Sequence, residues 1–336
     1  MYFYYKILFF IILILGSLIS ISANTWMGIW LGLEINLLAF IPLIQKNNNS
    51  FSSESSLKYF LTQALASTVL LFSLIFMAKN FMIMKNIDNS ILIIFNSSLL
   101  MKLGMAPFHF WFPEVIEGLN WLNCMILLMW QKITPMILIM YNLNFKYFFF
   151  IIIICSMLIS GINGFNQISV RKILAYSSIN HMAWMICSMF FSETIWIFYY
   201  LTYCMISMNI MFMFKILNIF FYNQIFISMN KNFLWKFIFS LNFLSLGGMP
   251  PFIGFMPKWM TIQFLMPEWM MLAFIMIMTT LLTLFFYIRI IFNVFIMTYN
   301  EINYYLNFKL KTFYIISFNL LTLSSLILFT LSYNFT

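Results

Sequence analysis

Apolar runs of about 20 residues follow one another along almost the whole chain, separated by short polar connections, and that length lets an α-helix cross the hydrocarbon core of a bilayer. A 20-residue window predicts eleven spans, near 3–22, 25–44, 57–78, 90–108, 118–141, 147–166, 172–190, 194–217, 236–256, 268–297 and 312–333. The expected fold is therefore an all-α polytopic membrane protein of about eleven transmembrane helices. The longest polar stretch, 45–58, is too short to bury a core, so one membrane domain over 1–336 is expected and no soluble domain. The stretch 247–269 is the hardest to divide, because prolines interrupt it.

Composition agrees with this pattern: 64% of the residues are hydrophobic, 7% are charged and the mean hydropathy is +0.97. The net charge of +9 raises the question of nucleic acid, but the bases are scattered singly through short loops with no aromatic-bearing basic surface. No nucleic-acid partner is expected. Membrane topology accounts for the bases better, since Lys and Arg in short loops favour the side from which insertion occurs. With the N-terminus on that side, its loops hold ten bases: Lys6, Lys46, Lys58, Arg171, Lys172, Lys215, Lys231, Lys236, Lys309 and Lys311. The opposite loops hold three, Lys79, Lys85 and Lys146, and Arg289 stays within a span. The N-terminus is accordingly placed inside and the C-terminus outside, as an odd number of spans requires. The first apolar run resembles a secretory signal, but it continues through a short polar link into a second span and is expected to remain as a helix. Cys124, Cys155, Cys187 and Cys204 lie far apart in apolar segments without metal-ligand or CxxC spacing and read as packing residues.

A repeat overlies this pattern. Gly104-Met-Ala-Pro107-Phe108 followed by Pro113 matches Gly248-Met-Pro-Pro251-Phe252 followed by Pro257, displaced by 144 residues. Proline removes a backbone donor and clashes with the preceding turn, so interrupted helices are expected around Pro107 and Pro251, with the freed carbonyls partnered away from lipid. Five span-to-span connections separate the two motifs, which makes the copies opposite in membrane direction. The expectation is an inverted repeat of two five-helix units, 3–141 and 147–297, with 312–333 as an additional C-terminal helix.

Against this apolar background four ionisable residues stand out: Glu34, Lys102, Lys132 and Lys258. A charge near the bilayer midplane costs about 2.5–3.5 kcal/mol on insertion scales, so such groups face the protein interior or a water-filled path. Glu34 has a structural alternative as a hydrogen-bonded partner of Asn36, Lys102 as a side chain reaching from a helix end, and Lys258 as an interfacial group. Lys132 has apolar residues on both sides and little room to reach water. His181, in Ser177-Ser178-Ile-Asn180-His181, reads equally as a satisfied core histidine or as a proton-relay member. No GxGxxG, Walker motif, clustered cysteine or axial histidine pair is present, so no cofactor and no metal is expected to be bound by this chain. A buried lysine is pushed toward neutrality by desolvation and toward its charged form by a nearby carboxylate, so moving the carboxylate drives proton uptake and release. Glu34 with Lys102 is the natural modulating pair, Lys132 the central carrier and Lys258 the far-end donor.

The runs Trp30-Leu-Gly-Leu-Glu34-Ile-Asn36-Leu, Lys102-Leu-Gly104-Met-Ala-Pro107-Phe-His109-Phe-Trp111, Trp130-Gln-Lys132, Arg171 to His181 and Gly247-Gly-Met-Pro-Pro251-Phe-Ile-Gly-Phe-Met-Pro257-Lys258-Trp carry a family resemblance. Together they resemble the chain 2 family of mitochondrial NADH:ubiquinone oxidoreductase, an antiporter-like membrane-arm subunit of respiratory complex I similar to Mrp-type cation/proton antiporters. The wording around Gly32 and Asn242 is similar to insect members, and the Met, Ile, Phe and Asn bias fits an A/T-rich organelle genome. Organelle encoding would also explain why no targeting peptide is read. The resemblance implies a multi-pass subunit of the mitochondrial inner membrane, N-terminus in the matrix and C-terminus in the intermembrane space, translocating protons while NADH oxidation and ubiquinone reduction occur elsewhere in the complex. It implies the roles just given for Glu34, Lys102, Lys132 and Lys258, with His181 as a further candidate. The implied partners are other membrane-arm subunits, including a neighbouring antiporter-like subunit, and lipids. Bacterial relatives have more helices, and this chain resembles the shortened animal form. A free-standing cation/proton antiporter and a structural membrane subunit without its own proton path remain as alternatives.

Overall fold

The computed structural model describes residues 2–45, 49–80, 85–229 and 233–296, and the helix expected at 312–333 lies outside them. Among the described residues the regular structure is helical, and strand-like pairing is confined to an isolated bridge between Ser169 and Phe221. Seven helices among the described residues are long and apolar enough to cross a membrane, and Asn89–Leu103 and Lys236–Gly247 are shorter apolar helices. The chain divides into two compact units, Met1–Ser156 and Met157–Thr336.

In the first unit, α1 (Tyr2–Ser22) and α2 (Trp26–Ile44) form a tight pair, with the Thr25 hydroxyl accepting from the Gly28 N–H at 3.3 Å to cap α2. The pair closes on small residues: a Cβ on Gly32 would meet the Ser20 backbone N at 2.7 Å and the Gly16 carbonyl at 2.9 Å. This contact fixes the helix that carries Glu34. Helix α3 (Ser50–Asn80) starts inside the stretch read from sequence as polar loop. Its first turns accommodate Ser52, Ser53, Ser55 and Ser56 within the helix, each returning a hydroxyl hydrogen bond to the carbonyl three residues back. Lys58 there pairs with Glu54 at 2.9 Å and with Glu114 at 2.8 Å. The second pair ties α3 to α5 (Trp111–Gly118), which follows α4 (Lys85–Leu103). The span expected at 118–141 is three pieces in one line, α6 (Trp121–Met125), a π-helical turn Ile126–Trp130 and α7 (Gln131–Met140).

Helix α8 (Lys146–Phe165) contains the division between the units. In the second unit, α9 (Val170–Met189) is buried almost all round and is polar along its length, so it is covered by protein rather than lipid. Helices α10 (Glu193–Leu217), α13 (Phe255–Leu265) and α14 (Met270–Ile296) pack on it, while α12 (Phe233–Gly247) packs on α10 and α14, and α11 (Tyr222–Met229) on α12 and α14. Helix α10 is capped at its start by Ser192, whose hydroxyl accepts from the Ile195 N–H, and ends on Asn218 in the left-handed region at φ 52°. All four cysteines are free thiols.

Candidate functional site

Helix α4 stops at Leu103 and α5 starts at Trp111; α12 stops at Gly247 and α13 starts at Phe255, the same limits displaced by 144 residues. The sequence attributes these breaks to proline, but both helices end earlier, on glycine. Gly104 (φ +73°) and Gly248 (φ +81°) adopt the left-handed conformation that L-residues with a Cβ avoid. Around the first, Gly104 N–H donates to Met101 O at 3.2 Å and Met105 N–H to Leu100 O at 3.1 Å. Around the second, Gly248 N–H donates to Ser245 O at 3.1 Å and Met249 N–H to Leu244 O at 3.2 Å. This is the Schellman cap twice over, and the prolines then delay the restart of helix.

The capped ends leave carbonyls that need partners in a dry setting, and side chains from elsewhere in the fold supply them. In the first break the Lys102 carbonyl accepts from Gln63 Nε2 at 3.2 Å, and the Met101 carbonyl also accepts from Trp111 Nε1 at 3.1 Å. In the second, the Gly247 carbonyl accepts from Lys258 Nζ at 2.8 Å. Lys102 lies in the last turn of α4 and the Lys258 ammonium at the last carbonyl of α12, so each cation sits at the negative end of a half-helix. The lysine side chain crosses Gly248 so closely that a Cβ there would lie 2.9 Å from Lys258 Nζ.

Lys102, Lys132 and Lys258 are 8%, 2% and 6% exposed, so all three are buried among protein groups. In the first unit, Lys102 and Lys132 line one cavity of about 20 Å³, together with Asn36, Tyr59, Gln63 and Gln131. A cavity of this size holds about one water. Lys132 follows the π-helical turn and precedes Pro135, which cannot supply the N–H that would return to the Gln131 carbonyl. Its ammonium lies 5.2 Å from the centre of the Phe112 ring. Gln131 Nε2 donates to Asn36 Oδ1 at 3.0 Å, and Trp130 Nε1 to the Ser17 hydroxyl at 3.2 Å, so α1 and α2 hold the residues flanking Lys132. Glu34 is half-buried on α2, with Oε1 buried and without a hydrogen-bond partner.

In the second unit, the buried His181 on α9 shares a 3.0 Å hydrogen bond between Nδ1 and the Tyr199 hydroxyl of α10, and its ring lies 5.2 Å from that of Tyr203. Asn180 donates to the Thr283 hydroxyl of α14 at 3.0 Å. Helix α13, which carries Lys258, packs on both α9 and α10. The sequence-expected residues thus fall into two sets, Glu34, Lys102 and Lys132 in the first unit and Lys258 and His181 in the second. Among the described residues no cluster of three His, Cys, Asp or Glu has the placement to hold a metal.

The family described as "NADH:quinone oxidoreductase/Mrp antiporter, TM" matches residues 23–285, which takes in both breaks and all five charged or histidine candidates. The chain belongs to this antiporter family. It is 53% identical over 262 residues to NADH-ubiquinone oxidoreductase chain 2 of Anopheles gambiae, covering 77% of this chain and 76% of that one. The corresponding chain of Locusta migratoria is 45% identical over 260 residues, with the same coverages of 77% and 76%. Among solved structures, the fold is similar to a chain of respiratory complex I from Thermus thermophilus, with a TM-score of 0.84 at 20% identity over 95% of this chain and 77% of that one. It is also similar to a chain of the Mrp complex from Dietzia sp., with a TM-score of 0.74 at 15% identity over 87% of this chain and 61% of that one.

For a member of the antiporter family, several site residues escaped the sequence reading. Asn36 was read as a partner for Glu34 and accepts from Gln131, while Gln131 stood beside Lys132 in a recognised run, and an amide there in an apolar helix was a usable signal. Pro135 within an apolar span was another. Gln63, Tyr59, Phe112 and Tyr199 carried no signal, because what singles them out is the partner each meets across the fold.

Proposed function

We propose that this chain is a core membrane-arm subunit of the mitochondrial NADH:ubiquinone oxidoreductase, and that it translocates protons through buried Glu and Lys residues coupled to NADH oxidation and ubiquinone reduction elsewhere in the complex. The observation that carries the reading is the water-sized cavity lined by both Lys102 and Lys132, on a fold of the antiporter family. Glu34 is the movable charge: an opposite charge brought near Lys102 favours its protonated form, and withdrawing it releases the proton toward the cavity water and Lys132. Lys132 is the central carrier. Lys258, held by the Gly247 carbonyl, is the far-end donor toward a neighbouring antiporter-like subunit, with His181 and Tyr199 as a relay in the same unit.

The chain brings no redox group of its own. It lies in the inner membrane with its N-terminus in the matrix and its C-terminus in the intermembrane space, as the loop bases indicate. Its two five-helix units, 3–141 and 147–297, form an inverted repeat, supported by the two glycine caps displaced by 144 residues.

The test is proton translocation per NADH oxidised in assembled complex carrying Lys132→Met, which keeps much of the stem and removes the titrating group. The complex should assemble and lose coupled activity. An unchanged ratio and rate would remove Lys132 from the path, as expected if its charge were structural and replaceable by an apolar group.

A further inference from the structure

Outside the proton path, the second unit holds an open cleft of about 490 Å³ that the mechanism does not use. It lies where α8 ends, between the α8–α9 connection, the start of α11 and the last third of α14. Its charged residue is Arg289, an exposed guanidinium within a 27-residue apolar helix. Arg289 Nη2 donates to the Phe165 carbonyl at 2.7 Å, the last residue of α8, which uses one of its five N–H groups and fixes the side chain over the cleft.

The rest of the lining is built from uncharged donors and is ordered by the fold. Asn293 Nδ2 donates to the Tyr222 hydroxyl at 2.6 Å. Tyr222 N–H donates to Ile168 O at 3.0 Å and Val170 N–H to Phe220 O at 3.1 Å, which joins the two connections that form the wall. The amides of Asn166, Gln167 and Asn223 complete it, and among the described residues no carboxylate lines it. Arg171, over the Phe220 ring at 4.8 Å, adds positive charge beside it. Around the cleft Ile168, Phe221, Phe285 and Phe292 are exposed.

We infer that this cleft binds the phosphate of an anionic phospholipid, with Arg289 as the charged contact and the exposed aromatic and aliphatic residues beside it receiving the acyl chains. Basic pockets between transmembrane helices take anionic headgroups, and a guanidinium flanked by amides matches phosphate geometry. The surroundings favour lipid over free phosphate, because a soluble ion makes no use of the apolar rim. They disfavour a choline headgroup, whose cation would face Arg289 with no carboxylate among the described lining residues to receive it. The inference does not rest on the proton pathway, and either can fail alone.

The test uses the intact complex, in nanodiscs, with photoactivatable phosphatidylglycerol or phosphatidylcholine and peptide mapping of the label. Labelling of peptides containing residues 165–168 and 222–223 should be strong with phosphatidylglycerol and weak with phosphatidylcholine, and should persist in millimolar inorganic phosphate. Arg289→Gln should lower it about fivefold, what one basic group beside an anionic surface contributes, while Arg289→Lys should keep most of it. Asn293→Asp, which leaves the Arg289 contact with α8 in place, should also lower it by placing a negative charge in the cleft. Proton translocation per NADH serves as the independent readout and is not expected to change in step with labelling. Equal labelling by both lipids, displacement by free phosphate, or cross-linking of the cleft to a subunit instead of lipid would each overturn the assignment.

Discussion

Gly248→Ala is the sharpest probe of how the broken backbone holds a buried cation. At φ +81° an alanine is strained by about 1–2 kcal/mol. Its Cβ would lie 2.9 Å from Lys258 Nζ and Cδ, atoms at the flexible end of the side chain, so the lysine moves and the backbone stays. Moving it breaks the 2.8 Å bond to the Gly247 carbonyl, a charge-assisted hydrogen bond worth roughly 1.5–3 kcal/mol. The overlap at 2.9 Å displaces the ammonium, and strain plus the lost bond together cost the variant about 2.5–5 kcal/mol at this break. The assay is proton translocation per NADH in the assembled complex, for Gly248→Ala, Lys258→Ala and the double variant. If the added methyl acts through Lys258, the double variant should be no worse in translocation than Lys258→Ala, a non-additive pair. Full activity in Gly248→Ala, or losses that simply add, would refute the claim that the glycine serves Lys258.

Phe112→Leu should leave the complex assembled but lower the proton ratio, since the ring beside the Lys132 ammonium contributes about 0.5–2 kcal/mol by cation–π attraction; a wild-type ratio would show that the ring is packing only. Tyr199→Phe removes the hydroxyl that meets His181 Nδ1 at a cost of about 1 kcal/mol, and should slow coupled turnover without loss of assembly; unchanged turnover would leave His181 as a core residue. Membrane-impermeant labelling of inner-membrane vesicles should reach the N-terminal end at Tyr4 from the matrix side and the end near Asn334 from the other, and labelling of Asn334 from the matrix alone would reverse the topology.

The pattern of apolar runs located most of the helices because a membrane span is a matter of length and hydropathy, both local properties. It misplaced the start of α3, since the serines from Ser50 on look like loop until their hydroxyls are seen to turn back onto the helix. The break positions were legible in the repeat, while the cause was assigned to Pro107 and Pro251 when the stop lies at Gly104 and Gly248. Both residue types stood in the motif, and a glycine in a helix declares its φ only in three dimensions. The π-helical turn at Ile126–Trp130 had no sequence signature at all: four aliphatic residues and a tryptophan read the same in either helix type. Burial of the lysines followed from cost, but their partners did not, because Gln63 and Phe112 are brought to Lys102 and Lys132 from other helices.

The surroundings of the three lysines differ in a way that bears on their order in the path. Lys102 lies in the last turn of a half-helix and lines a cavity with Asn36 of α2, so its surroundings change if α2 moves. Lys258 is fixed to a backbone carbonyl beside a glycine that leaves no slack, so its surroundings change only if the break itself moves. Lys132 rests against an aromatic face and a cavity with room for about one water, just after the π-helical turn. A group tied to a helix end responds to movement of that element, while a group beside a water-sized cavity can exchange its proton with what the cavity holds. The proposed path therefore has Lys132 in its middle, and the two lysines at the half-helix ends at the points where conformational change would enter and leave.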